Sequence, residues 1–456
     1  MAIRGPHPCL RAAILPARVC LCPIIACVLL CVCPAPAQKN KSLPAAPSAV
    51  HPPELKDHFL IDRLPEKPTV APFATIPLDP LEFAAPNPVY IGHRYTMASL
   101  DFLDENHLLF TFRVPGLIRR SPGDEGEQDV HNIRAVVLSI PSGAVAAQDF
   151  WILHGRNRYV WPLGNGHFLL RDGHLLSEGD GHLNLKPLLS FPGNLLTITM
   201  DPGEQYVVTH SREPLPKTST DDTSSDNSAD DSGDDAESSG TPDLVVRIFR
   251  RETGEVLNVT RVRTIRDIPI NSRGILQALP GYSNHWTIEL DGFKGGSTKL
   301  AEVVSQCTPT LEFISNDELL AKTCKPEGGY RLTGISTSGQ LLWQDTTSSY
   351  TVWPIVRRSA SGLRFLRETL AVTREINAFW ALVHSDVRAQ RVRVFDAADG
   401  NMAFEATVDP VLDAGGNATI SPSGRRVALI SGGKIQVFNL PAPPPLPAAA
   451  TRQAPE

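Results

Sequence analysis

From about residue 97 to residue 440 the chain repeats one pattern: a short apolar run, a turn rich in Gly, Asn, Asp or Ser, and a second apolar run. Leu100-Asp101-Phe102 passes through an Asn-containing turn to Leu108-Leu109, and Leu311-Glu312-Phe313 repeats the plan up to Leu319-Leu320. Asp201-Pro202-Gly203 leading to Val207-Val208 matches Ser421-Pro422-Ser423-Gly424 leading to Val427-Ala428. Both read as strand, tight turn, strand. A third pattern closes the units: an apolar strand meets a turn ending in Gly. It occurs at Val136 to Gly143, Val245 to Glu255, Gly334 to Trp343 and Val392 to Gly400. Turn residues at this density around short apolar runs predict strands. One segment departs from the pattern. Leu363, Leu366 and Leu370 have helical spacing, which predicts a helical insertion between Gly362 and Val383.

Many short strands with almost no helix suggest a sandwich, a barrel or a propeller, and irregular copies at roughly 40–60 residue spacing favour the propeller. A single blade cannot bury its own faces, so the ring of blades supplies the core. Blades open near Met97, Tyr159, Leu195, Asp267, Thr308, Gly362 and Gly416, which gives seven, with six or eight as alternatives. The last copy, Ala418 to Leu440, is one strand short. Val89-Tyr90-Ile91 is the candidate to complete it from the N-terminal side and close the ring. The closing pattern Ser336-Thr337-Ser338-Gly339-Gln340-Leu341-Leu342-Trp343 is similar to the D-x-x-T-G-x-x-x-W turn of PQQ-type repeats. From Pro88 to Leu440 the chain resembles the WD40/YVTN-type and PQQ-like β-propeller superfamily. The resemblance implies an all-β, single-propeller fold and no particular activity.

The two ends differ from this body. Arg4, Arg11 and Arg18 precede an apolar run from Val19 to Cys33, and Ala35-Pro36-Ala37 stands before Gln38. That order is the pattern of a secretory signal peptide over residues 1–37, of the general export route. Ile24-Ile25-Ala26-Cys27 also fits a lipobox, but inside the run and not at its end. Residues 38–87 are Pro- and Ala-rich and read as a linker or a strap over the domain; the tail 441–456 reads as disordered. Cys9, Cys20, Cys22, Cys27, Cys31 and Cys33 lie in the leader, so the exported chain keeps only Cys307 and Cys324. If Ser315 and Asn316 form a hairpin loop, Leu311 faces Leu320 and Cys307 faces Cys324, within disulfide range. Pro309 interrupts that ladder, and two buried free thiols remain the alternative.

Charge narrows the function classes. The formal net charge is −6, concentrated in the loop 214–243, which argues against a nucleic-acid partner. That loop lacks the ligand order of a calcium hand and reads as a disordered, solvated excursion. His167, His174 and His182 are spaced so that successive turns could bring them to one metal, or they are plain turn residues. Trp151, Tyr159, Trp161, Trp286, Trp343, Trp353 and Trp380 are candidates for a binding rim, with blade-to-blade packing expected for most. Asp101, Asp201 and Asp396 read as turn and strand-end residues. No nucleophile elbow, zinc helix, phosphate loop or dinucleotide fingerprint occurs.

The expectation is an exported, monomeric, non-enzymatic propeller of a bacterial envelope or extracellular space. It binds or scaffolds a protein, peptide or glycan, with no cofactor, metal, catalytic residue or transmembrane segment assigned, and Cys307–Cys324 as its disulfide. The bacterial setting rests on the leader and an Arg-over-Lys bias. The competing class is a propeller enzyme (a lactonase, a glycosidase or a quinoprotein-like oxidoreductase), which needs carboxylates or histidines converging at the channel mouth.

Overall fold

The computed structural model describes residues 64–84, 96–114, 130–155, 157–213, 244–265, 267–376, 382–409, 411–412 and 416–444, with the backbone of Lys56–Phe59. The leader with its cysteines, Val89-Tyr90-Ile91, the acidic loop 214–243, Trp380 and the tail from residue 445 lie outside the described residues. Residues Glu54–Glu456 form one compact unit.

Seven sheets follow one another along the chain, each an antiparallel meander. Blade 1 runs Ser99–Phe102, His107–Arg113, Val130–Ser139 and Val145–His154, from the inner strand outward. Blade 2 is Val160–Gly164, His167–Asp172, Leu175–Gly179 and Leu185–Ser190; blade 3 is Asn194–Met200, Tyr206–Arg212, Leu244–Arg250 and Val256–Val262. Blade 4 has three regular strands, Gly274–Pro280, His285–Gly292 and Ser297–Val304. Its innermost layer is the irregular stretch 267–271, joined to Gly274–Pro280 by one bridge, Ile270 to Ile275, and by Leu276 N–H donating to Pro269 O at 2.9 Å. Blade 5 is Thr310–Phe313, Glu318–Cys324, Tyr330–Ser336 and Leu341–Thr346, with Lys56–Phe59 added in parallel on its outer edge. Blade 6 is Thr351–Arg358, Arg364–Val372, Val387–Asp396 and Met402–Val408.

Blade 7 closes the ring. Its three inner strands, Ala418–Ile420, Arg426–Ser431 and Lys434–Asn439, come from the C-terminal side, and its outer strand is Ala74–Pro77 from the N-terminal side. The closing strand thus falls in the Pro-rich segment read as a linker or strap. It alternates Ala74 and Ile76 inward with Thr75 and Pro77 outward. Pro77 is tolerated because it ends the strand.

Strands here are buried on both faces, so apolar runs replace the period-two alternation of a half-solvated sheet. In His107–Arg113, Leu108, Phe110 and Phe112 pack against blade 7, while Leu109 packs against blade 2. The same effect explains the helix-like spacing at Leu363, Leu366 and Leu370. Arg364–Val372 is a strand, Leu366 facing blade 7 and Phe365 facing blade 5, so across the three leucines the expected helical insertion is corrected to a blade strand, while 377–381 lie outside the described residues. Blade 6 accordingly opens at Thr351, and Gly362 sits in its first turn at φ +69°.

Cys307 and Cys324 are joined by a disulfide, with Cα atoms 5.6 Å apart. The hairpin register is one residue off the expected one: Leu311 faces Ala321, and Glu312 faces Leu320. The N–H groups of Ile314 and Ser315 both donate to Glu318 O, so the loop is longer than two residues. Cys307 lies ahead of Thr310–Phe313, outside the ladder. It is brought to Cys324 by Gln306 N–H donating to Cys324 O and Cys324 N–H donating to Ser305 Oγ.

Candidate binding channel

The seven inner strands enclose a cavity of about 390 Å³ to which every blade contributes. The inner strands and the segments that flank them line it. There the chain places Asp101, Glu204, Asp267, Glu312, Arg357 and Arg358, together with Phe102, Trp161 and Phe313.

Arg357 and Arg358 are consecutive, so their side chains leave opposite faces of blade 6. Arg357 Nη1 donates to Asp101 Oδ1 on blade 1 at 2.8 Å. Asp101 is fully buried within its strand and also accepts from Ser99 Oγ. Arg358 reaches blade 3, where Nη2 donates to the carbonyls of Met200 at 2.9 Å and Asp201 at 2.7 Å. Blades 3 and 6 lie on opposite sides of a seven-membered ring, so this guanidinium bridges the channel.

The carboxyls of Glu204, Asp267 and Glu312, on blades 3, 4 and 5, have no ion pair or hydrogen-bonded side-chain partner among the described residues. Burial pushes Glu312 up to about 7, against the pull of Arg358 and with the repulsion of Asp267. Burial likewise pushes Glu204 up to about 7, opposed by Arg358 and Arg251. Behind the inner strand of blade 5, burial lowers Lys322 while Asp267 and Glu312 hold it up; its ammonium stands 5.3 Å from the Tyr330 ring centre.

A carboxyl that keeps its proton longer when folded makes stability fall as pH rises. Below about 4.5 folded and unfolded chains both hold the proton; between about 4.5 and about 7 only the folded chain does. Stability contributed by Glu312 is therefore present at pH 4 and lost by pH 8. Glu312→Gln is expected to match the native protein in denaturation at pH 4.5 and to exceed it by about 1–3 kcal/mol at pH 8. Equal stabilities at both pH values would show Glu312 to be freely hydrated.

Of the residues singled out in the sequence, the structure separates some and relocates others. His167 stands at the start of its strand, with Nδ1 3.3 Å from Glu178 Oε1, at the same end of blade 2 as His182. His174 lies in the turn at the opposite end, so the three histidines do not converge. No group of three or more His, Cys, Asp or Glu side chains suited to a metal ion occurs among the described residues. Trp151 packs on Phe168 across blades 1 and 2, and Tyr159 hydrogen-bonds Thr111 and Met97 across the same seam. Trp286 is half-buried and donates to Ser305 O at 3.1 Å; Trp343 is buried between blades 5 and 6. Only Trp161 of the described group lines the channel, beneath the Arg158 guanidinium at 5.4 Å. The side chain of Trp353 lies outside the description. Asp201 is a turn residue, accepting from the N–H groups of Gly203 and Tyr206, and Asp396 ends a strand and accepts from Arg364. Asp101 is the third residue of the four-residue strand Ser99–Phe102, next to its end.

Sequence reading missed Glu204, Asp267, Glu312, Arg357 and Arg358 as site residues. A signal for two acids was present: Leu100-Asp101-Phe102 and Leu311-Glu312-Phe313 share an acid between two large apolar residues. An acid there interrupts an otherwise buried strand, and both acids face the cavity.

No protein-family model and no curated protein matches the sequence. Among solved structures the chain is similar to the C-terminal WD40 domain of Sif2, at 8% identity and TM-score 0.37, covering 82% of this chain and 98% of that one. It is similar to a chain of the mitotic checkpoint complex at 10% identity and TM-score 0.42, covering 84% and 99%. Similarity to the Pyrococcus horikoshii acylaminoacyl peptidase has 11% identity and TM-score 0.42; it covers 77% of this chain and 54% of the peptidase. The sheets and their closure by Ala74–Pro77 make this chain a seven-bladed β-propeller.

Proposed function

We propose that this protein is an exported binding propeller that takes a polar part of a protein, peptide or glycan into its central channel. The observation that carries the reading is the lining itself: carboxyls from blades 3, 4 and 5 stand without side-chain partners among the described residues, around a cavity of about 390 Å³. Cavities of this size, with a few converging polar groups, are the usual form of ligand sites. Keeping carboxyls that ionise only near pH 7 costs the empty fold stability, as expected where a ligand supplies the missing partner. Export is supported by the leader pattern at residues 1–37 and by the disulfide, since such bonds persist in oxidising compartments. No helix among the described residues is long and apolar enough to cross a membrane.

The test is a channel plug. Thr310 lines the cavity and is exposed to it. Thr310→Trp fills the space without removing a charge. Native protein from an exporting host is expected to retain ligands from peptide and glycan arrays, and Thr310→Trp to lose them at unchanged melting temperature. Binding that survives the plug moves the site to the outer surface. A second reading, acid–base catalysis, is favoured by Glu204 and Glu312 ionising near neutrality beside Arg358. Turnover of an array ligand that vanishes in Glu312→Gln would replace binding by catalysis.

A further inference from the structure

Within the channel, cations and anions differ in how far they are already satisfied. Arg357 pairs with Asp101, Arg358 donates to two backbone carbonyls, and Arg158 donates to Val160 O and lies over Trp161. Among the described residues the ammonium of Lys322 forms no ion pair with Glu312 or Asp267, and it stands over the Tyr330 ring. By contrast Glu204, Asp267 and Glu312 occupy three successive blades and carry no direct counter-charge among the described residues. Among the described residues the lining therefore sets three carboxyls without a direct counter-charge against arginines that each already make a hydrogen bond, with Nε of Arg357 left over as a buried donor. Phe102 of blade 1 and Trp161 of blade 2, both mostly buried in the packing beside them, line the same cavity. A ligand that matches both sides has an alkyl stem and a cationic head.

Resting on the channel reading above, we propose that the channel selects an alkylammonium or alkylguanidinium group, the end of a lysine or arginine side chain or of a free polyamine. Its head is held by Glu312 and Asp267, and its stem lies against Trp161 and Phe102. Charge-assisted hydrogen bonds to partly buried carboxylates are the strong kind, and the cation relieves the repulsion between neighbouring acids. The groups facing Glu312 are Arg358, Asp267, Arg158 and Lys322, in falling order of influence. A cationic ligand requires Glu312 as carboxylate, so binding releases protons and weakens as pH falls from 8 to 6.

The experiment titrates the native protein by calorimetry with acetyl-arginine amide, acetyl-lysine amide, agmatine and cadaverine. The uncharged acetyl-citrulline amide and neutral oligosaccharides serve as contrasts. Expected are binding of at least one cationic probe, about tenfold weaker binding at pH 6 than at pH 8, and at least tenfold loss in Glu312→Gln and in Asp267→Asn. Preference for the capped amino acids over the diamines identifies a basic peptide, and the reverse identifies a polyamine. No cation binding at millimolar concentration, or equal affinity for the citrulline and arginine probes, overturns the inference. If a neutral probe binds and Thr310→Trp abolishes that binding, the channel reading stands while the cation inference falls. Cation binding indifferent to Thr310→Trp removes both.

Discussion

Asp345→Ala is expected to destabilise the propeller by about 3–5 kcal/mol, a fall in melting temperature of about 6–10 °C at the ~2 °C per kcal/mol of a large domain. Asp345, on the outer strand of blade 5, is 2% exposed and accepts from Arg367 Nη1 of blade 6 at 2.6 Å. Arg367 is 1% exposed and faces Arg393 across its own sheet. Arg393 is engaged with Glu405 at 2.7 Å, so Glu405 is not available to replace Asp345. Burial and the Arg393 charge both lower the Arg367 guanidinium, and Asp345 is what holds it up. With Asp345 gone, a buried cation stands beside a second cation at a seam between blades, and neither can reach water without opening the ring. The pair itself need not be worth much against an apolar replacement. Arg367→Met in the Asp345→Ala background is therefore expected to recover a large part of the loss, and denaturation of the two variants checks it. A cost below about 1 kcal/mol for Asp345→Ala would mean that water reaches the seam.

That seam also shows what the sequence makes legible. A strand half-exposed to water announces its faces by alternation, and the outer strand Ala74–Pro77 does so with Ala74 and Ile76 inward. Its prolines nevertheless make the stretch read as linker, because only pairing with Lys434–Asn439 gives it a strand's role. Arg364–Val372 is buried on both faces, so Leu366 and Leu370 no longer mark one side, and a helical period appears by accident. In blade 4 the inner stretch 267–271 keeps one bridge, so Pro269 suppresses a strand signal while the backbone still lines the cavity. The turns were the clearest local signals, since Gly at positive φ is a local requirement that needs no partner; Gly400, at φ +70°, is one. The channel acids were the least legible. Glu312 and Asp267 meet only because the ring places adjacent blades side by side, and neighbourhood in a ring is not written in sequence spacing.

Trp343→Ala is expected to cost about 3–5 kcal/mol, because the single Trp of the closing patterns fills the seam between blades 5 and 6. Its indole is 2% exposed and stacks on Phe365 at 5.7 Å, and Phe365 stacks on Phe395 at 5.3 Å. Indole Nε1 donates to Ala397 O at 2.8 Å, in the closing turn of blade 6. Two glycines form the slot. A Cβ on Gly334, in the neighbouring strand, would lie 2.4 Å from the ring, and one on Gly400, in the closing turn of blade 6, would lie 2.6 Å from it. Trp343→Phe keeps ring packing but leaves Ala397 O without its donor, so it should cost less than Ala and more than a volume-conserving swap. Gly400→Ala combines two penalties: about 1–2 kcal/mol for an L-residue at positive φ, and about 1–3 kcal/mol for overpacking against the indole. In a Trp343→Ala background only the first survives. Urea denaturation of the four proteins of this cycle should therefore show Gly400→Ala costing about 1–3 kcal/mol less when the indole is absent. Equal costs in both backgrounds would mean that blade 6 docks on blade 5 without its closing Gly meeting the indole, and that the positive φ alone accounts for the glycine.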